Sequence, residues 1–374
     1  PWFTQEYGNA GSVVHPFGEA AREAVAAARD SIAASVGCDS DELVFTSGAT
    51  ESNNLAIRGV AEHPRARGDH LVSVATEHRA VLDPLARLAR RGREVTLLGV
   101  EADSSPSAGW LDPQRVAEAI TDRTCLVSVM LANNEVGVIQ PLGEIGAVCR
   151  ERGVPLHCDA TQAVGKLPVS VAELGIDLVS FTAHKLHGPK GVGALVVRRR
   201  RPAVRLDAQV TGGGQERGRR SGTANVPAIV GFAEALRLCE AEAAAERPRM
   251  SQLRDRLAGG LLRLVDGLRV VGPSLDERDA SGEPLRLGHN LNVAIDGVDG
   301  EALMLRMPRL AVSSGAACSA TDPEPSHVLR ALGLSEDAAR CTLRLGLSRF
   351  TDAADVETAI EQIVAGVAEV RGLR

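Results

Sequence analysis

A chain of 374 residues with 44% hydrophobic and 24% charged side chains has room for one large core and one smaller one. Its net charge of −6 argues against nucleic acid or an anionic membrane as the bulk partner, and no run reaches the ~18 apolar residues of a membrane span. Seven scattered cysteines without a C-x-x-C pair argue against secretion and against a cysteine-rich zinc site, and fit reduced thiols in the cytoplasm.

The apolar pattern alternates between helical and strand periods along the first two thirds. Helical spacing over 19–36 is followed by a short strand pattern at 42–45 and a helix at 50–62. Strands are then predicted at 71–75, 94–98, 124–130, 154–158, 177–181 and 193–197, with helices at 80–91, 113–120 and 142–151 between them. Such spacing predicts right-handed crossovers and a mostly parallel sheet covered by helices on both faces. A helical stretch from 225 to about 265, broken at Pro248, reads as the link to a second, smaller α/β domain. That part carries strands at 268–271 and 289–295, a small-residue loop at 313–317 and a last helix from 352.

Ligands of such sheets bind beyond the carboxyl ends of the strands, so the residues just after each strand matter most. Phe45-Thr46-Ser47-Gly48-Ala49-Thr50-Glu51-Ser52 runs from a strand through small residues into a helix, a shape that cradles an anion; an ordinary helix cap explains the same residues. Asp159 closes an apolar strand, where a carboxylate needs a cationic or hydrogen-bonding partner or serves as a cap. Lys185 follows another strand, and only three of the 42 basic residues are lysines: Lys166, Lys185 and Lys190. Arginine cannot serve as an amine nucleophile, so a chain that avoids lysine keeps it where an amine is needed. A desolvated lysine with a lowered pKa would bond to an aldehyde cofactor; a solvated loop lysine is the alternative.

Six motifs stand in the order found in cysteine desulfurases: 47–52, 133–137, 159–162, 183–185, 220–223 and 313–319. The chain resembles the branch of class V aminotransferase-like, fold type I enzymes that includes the bacterial iron–sulfur and nitrogenase desulfurases, over about residues 8–352. The resemblance implies a pyridoxal 5'-phosphate cofactor on Lys185, in a large domain at 1–245 whose family first strand is not evident in this chain. It implies that Asp159 pairs with the ring nitrogen, that Gln162 and Asn134 bond on the ring-hydroxyl side, and that His78 stacks on the ring and shuttles a proton. Ala49, Thr50, Thr182 (where serine is more usual) and His184 would hold the phosphate, and Thr223 would reach it from the other subunit of a homodimer. Arg349 would grip the substrate carboxylate through paired hydrogen bonds, helped by Asn134 and by either Asn290 or Asn292.

Cys318 would be the nucleophile, in a domain at 246–374. Its small, polar neighbours and the prolines at 323 and 325 describe an accessible loop, unlike Cys125, Cys149, Cys158 and Cys341, which read as core residues. The implied reaction takes L-cysteine to L-alanine, leaves a persulfide on Cys318 and passes the sulfur to an acceptor protein. A selenocysteine lyase or another enzyme of the same fold, and a non-catalytic sulfur-assembly scaffold, are the competing readings. The presence of both Lys185 and Cys318 argues against the scaffold. The acceptor could be an iron–sulfur scaffold, a tRNA thiolation enzyme or a DNA phosphorothioation protein, and the net negative charge favours delivery through a protein rather than directly to nucleic acid.

Overall fold

A computed structural model describes residues 1–199, 203–314 and 325–373. The first helix, α1 (Pro16–Val36), starts where His15 Nδ1 accepts from Gly18 N at 3.0 Å and Pro16 presets the first turn. It stops at Gly37, whose left-handed φ of 70° lets its N–H return to the carbonyls of Ala33 and Ala34. Ala21, Val25, Ala28, Ile32 and Val36 recur at helical spacing and are the buried stripe.

The chain then alternates: β1 (Leu43–Thr46), α2 (Ala49–Glu62), β2 (His70–Val74), α3 (Arg79–Ala89), β3 (Glu94–Leu98), α4 (Pro113–Ala119), β4 (Thr124–Ser128), α5 (Leu142–Glu151), β5 (Leu156–Asp159), β6 (Leu178–Thr182) and β7 (Gly193–Val197). These seven strands form one sheet in the order β1-β7-β6-β5-β4-β2-β3. The five strands from β6 to β3 in that order run parallel, β7 is antiparallel to β6, and β1 is antiparallel to β7. Every residue of β1, β2, β4, β5, β6 and β7 is buried, so both faces are covered, as a mostly parallel sheet requires. Leu55 and Ile57 from α2 and Val81 and Leu85 from α3 share one apolar cluster with Leu71, Leu126 and Leu195 of the sheet. Each such side chain stabilises the fold by about 1.5–3 kcal/mol.

After β7 come α6 (Val226–Leu264), β8 (Leu268–Val271), β9 (Asn290–Ile295), α7 (Gly300–Leu305), β10 (Ser313–Ser314), α8 (His327–Ala331), α9 (Glu336–Arg340), β11 (Thr342–Gly346) and α10 (Ala353–Gly372). A four-stranded antiparallel sheet in the order β10-β11-β9-β8 packs its apolar residues with those of α6 and α10. The break expected at Pro248 is absent: α6 continues through it. Proline removes one main-chain donor, but Met250, Leu253, Leu257 and Leu261 downstream are buried in this second core and hold the helix on course.

The chain divides into two compact units. One comprises Pro1–Leu98, Pro113–Leu131 and Pro141–Ala243; the other comprises Gly99–Asp112, Ala132–Gln140 and Ala244–Arg374. No helix among the described residues is long and apolar enough to cross a membrane.

Candidate active site

The large sheet delivers its polar residues where its strands end. Asp159 ends β5 at 5% exposure, with Asn53 Nδ2 donating to Oδ2 at 2.7 Å and Thr161 N to Oδ1 at 3.0 Å. Asn53 comes from the buried face of α2, which packs against the sheet. Among the described residues, Asp159 is bonded by these neutral donors and by no cationic side chain. Its neighbours are tuned to carry no charge. Burial, and then the negative charge of Asp159, raise Glu77 well above the usual carboxylate range, while Glu77 Oε1 accepts from Met130 N at 2.6 Å. Burial pushes His157 down to about 4, against the pull of Asp159; its ring nitrogens meet Ser128 Oγ at 2.8 Å and Ser180 Oγ at 3.0 Å. Burial also raises the Cys158 thiol, and Asp159 adds to the effect. The result is a buried carboxylate whose neighbours are shifted toward their neutral forms, an environment that suits a positively charged ligand group.

A second feature lies between β1 and α2. Gly48 adopts φ 151°, a conformation open essentially to glycine alone, and β7 passes so close that a Cβ on Gly193 would stand 2.7 Å from Gly48 Cα. The N–H groups of Ala49 and Thr50, in the first turn of α2, have no acceptor within the helix, a geometry that suits an anion. Glu51 takes the Ser47 N–H at 2.7 Å and an Arg220 hydrogen bond at 2.8 Å. Burial works to raise the Glu51 pKa, but those bonds outweigh it and the pKa falls. Thr182, at the end of β6, has its hydroxyl oxygen 3.0 Å from Val192 O, which can accept from it, and 3.0 Å from His184 Nδ1. Burial, then the positive charges of Lys185 and Lys190, lower the His184 pKa; a bound phosphate would oppose all three.

Lys185 stands in the single 3-10 turn Ala183–Leu186 that follows β6. The sequence predicts a desolvated lysine, but in this chain its side chain is exposed, because the short turn carries it beyond the sheet. His78 is also exposed and caps α3, with Nδ1 accepting from Ala80 N at 3.0 Å, so structural and functional readings of this histidine coexist. Gln162 is half-buried beyond β5, and its Oε1 accepts from Lys166 Nζ at 3.1 Å.

The loop that carries Thr223 belongs to the same unit. It leaves glycines at 212–214 and is tied down twice: Glu216 pairs with Arg29 at 2.7 Å and accepts from Phe45 N at 3.0 Å, and Arg220 pairs with Glu51. Glu216 and Arg217 hold left-handed φ values of 48° and 56°, rare for residues with side chains. Thr223, at its end, is exposed.

The second unit carries the remaining residues. Asn134 is half-buried, and its carbonyl accepts from Asn290 Nδ2 at 3.2 Å. Asn290 and Asn292 also donate to Glu135 O, at 3.3 and 3.2 Å. Both asparagines therefore hold the backbone of the Asn134 segment. Arg349 is half-buried above the Phe350 ring, 5.6 Å from its centroid, and its carbonyl accepts from Arg249 Nη2 at 2.8 Å. The nucleophile expected at Cys318 lies outside the described residues.

Sequence reading missed Asn53, Glu77, His157 and Lys166. Two had a visible signal: His157 interrupts an apolar strand, and Lys166 is one of three lysines. Asn53 and Glu77 gave none, because their burial depends on tertiary packing. The donor set fits pyridoxal 5'-phosphate: a helix N-terminus for the phosphate, a buried carboxylate lacking a cation for the ring nitrogen, and a primary amine for the aldehyde.

The aminotransferase class-V family matches residues 1–358. A cysteine desulfurase IscS of Anaeromyxobacter sp. (strain Fw109-5) is 50% identical over 371 residues, 99% of this chain and 88% of that protein. A solved NifS-like protein superposes with a TM-score of 0.87 at 32% identity, covering 98% of this chain and 93% of that one. A structure of SspA in complex with cysteine matches with a TM-score of 0.77 at 34% identity, covering 94% of each chain.

Proposed function

Since the chain belongs to the aminotransferase class-V family and is a pyridoxal-phosphate-dependent cysteine desulfurase, we propose that it moves the sulfur of L-cysteine onto Cys318 as a persulfide, releases L-alanine, and passes the sulfur to an acceptor protein. The cofactor, when bound, supplies an aldehyde for amine capture and a ring that takes up the electron pair released at the substrate α-carbon. Asp159 keeps the ring nitrogen protonated; the observation that carries this reading is its buried carboxylate, ringed by neutral groups. The first turn of α2 at Ala49 and Thr50, with Thr182 and His184, holds the phosphate, and His78 covers the ring. Gln162 and Asn134 bond on the ring-oxygen side.

Lys185 removes the α-proton, and its exposed side chain at the end of β6 supports a role in which the amine meets substrate. Arg349 receives the substrate carboxylate through two parallel hydrogen bonds. The Cys318 thiolate attacks the substrate sulfur, the substrate carbon–sulfur bond breaks, and the carbon takes the electron pair and then a proton. One cysteine and one enzyme thiol thus become one alanine and one persulfide, with no external oxidant. The exposed Thr223, on a glycine-bearing loop anchored at its base, supports a homodimer in which each subunit completes its partner's phosphate site. Six free thiols among the described cysteines support a cytoplasmic setting.

The test is an absorption spectrum before and after L-cysteine, with alanine and reductant-released sulfide measured alongside, for the native protein and Cys318→Ala. We expect a visible band that shifts on cysteine addition in both proteins. Alanine formation should fall by about 100-fold or more in the variant. Full-rate alanine release from Cys318→Ala would remove the nucleophile from this reading; a shifting band without sulfide would point to another reaction on the same cofactor.

A further inference from the structure

The proposed chemistry uses one lysine of three. Lys190 is exposed, whereas Lys166 is half-buried beside the residues assigned to the cofactor. It lies four residues beyond Gln162, and its Nζ is 3.1 Å from Gln162 Oε1. An ammonium has donors and no acceptor, so the contact decides which end of the amide faces it. The carbonyl is committed to Lys166, and the two amide N–H bonds are left for another acceptor.

Packing ties this turn to the Lys185 turn. A Cβ added at Gly165 would come within 2.5 Å of Leu186 Cδ2 and 3.2 Å of Cys239 Cβ, so the backbone just before Lys166 lies against the residue after Lys185. The electrostatics agree. Burial, then the positive charge of Lys185, pull Lys166 down to about 8, with Cys239 opposing. Charge repulsion is mutual, so Lys166 acts on positive charge at the Lys185 nitrogen as well.

We propose that Lys166 is a positioning residue of the desulfurase: it locks Gln162 as a hydrogen-bond donor toward the oxygen substituent of the cofactor ring and holds a second positive charge beside Lys185. This rests on the reading that Gln162 and Lys185 serve the cofactor. A donor at the ring oxygen favours its ionised form, and a neighbouring cation disfavours a proton on the Lys185 nitrogen. Both effects lower the pH at which the cofactor-bearing lysine gives up its proton. Both also favour the unprotonated amine that the reaction needs as a base.

The test reads the cofactor's colour rather than turnover. Lys166→Met keeps the aliphatic stem and removes donor and charge; Lys166→Arg keeps both. The visible band of each protein, loaded with pyridoxal phosphate, is titrated against pH. The midpoint should rise by roughly one unit in Lys166→Met and stay within about 0.3 units of native in Lys166→Arg. If Lys166→Met does not fold, Lys166→Gln, also uncharged, gives the same readout. A midpoint that does not move in the neutral variant leaves Lys166 a structural residue and overturns the proposal, while the band itself upholds the cofactor reading. A native protein with no visible band after added pyridoxal phosphate overturns both.

Discussion

Asp159 ends β5 at 5% exposure, held by Asn53 and Thr161, whereas Lys185 stands exposed in the turn that follows β6, the next strand of the sheet. The two strands run parallel, with Asp159 in register with Ser180. What differs is the packing around each end. A charge that must stay fixed is buried, given two donors and surrounded by groups held neutral. The group proposed to carry the proton stands exposed on a short turn beyond the sheet. Burial thus separates the proposed electrostatic element from the proposed chemical one across two adjacent strands.

The most severe way to break this contrast is at the Lys185 end. Lys185→Ala should lower alanine formation by more than about 1000-fold, measured by alanine release under saturating cysteine, with little change in unfolding midpoint because the side chain is exposed. A large loss of stability would mean that Lys185 holds the fold together and that the contrast is wrong. At the Asp159 end, Asn53→Ala removes the donor to Asp159 Oδ2 and leaves a buried carboxylate oxygen without it. That should cost about 1–3 kcal/mol of stability in a denaturant titration and weaken cofactor retention. Unchanged stability would show that water replaces the asparagine.

The effect at Glu77 is smallest near pH 4 and depends on pH. Burial and Asp159 raise its pKa in the folded state above the usual 4.5. The folded protein therefore keeps a proton that the unfolded chain loses above that pH. Glu77's contribution is greatest below the unfolded value and declines as pH rises toward the folded one. Glu77→Gln keeps the acceptor for Met130 N and cannot ionise. Its stability should match the native protein's near pH 4 and exceed it progressively above, by at most about 1.4 kcal/mol per pH unit. A gap that stays constant across that range would show that Glu77 is not neutral in the fold.

Much of this architecture is legible in the sequence because it depends on local periodicity. The patterns at 94–98 and 193–197 coincide with β3 and β7, and 142–151 with α5. The rule that chemistry gathers at strand ends points to Asp159 and Lys185, whereas Thr182 follows only from the family resemblance. Other features depend on contacts distant in sequence. Pro248 reads as a break, yet apolar residues of a remote core carry α6 through it. Asn53 and Asp159 are 106 residues apart, and no local pattern announces that they share a hydrogen bond. Segments 99–112 and 132–140 join the second unit, although nothing in their composition sets them apart. The exposure of Lys185 in the single subunit has a geometric reason: one 3-10 turn is enough to carry a side chain from a buried strand to the surface.

The backbone at Glu216 and Arg217 bears on assembly. Each left-handed residue costs about 1–2 kcal/mol relative to the right-handed form. Glu216's bonds to Arg29 and Phe45 N, together with the Arg220–Glu51 pair, offset that cost within the single subunit. The contacts that shape the loop thus lie within one subunit. An association that receives a preformed projection gives up less chain entropy than one that must order a slack segment. In the proposed homodimer, affinity should thus be sensitive to Arg29, a residue on the first helix, through the pre-bent shape that it maintains.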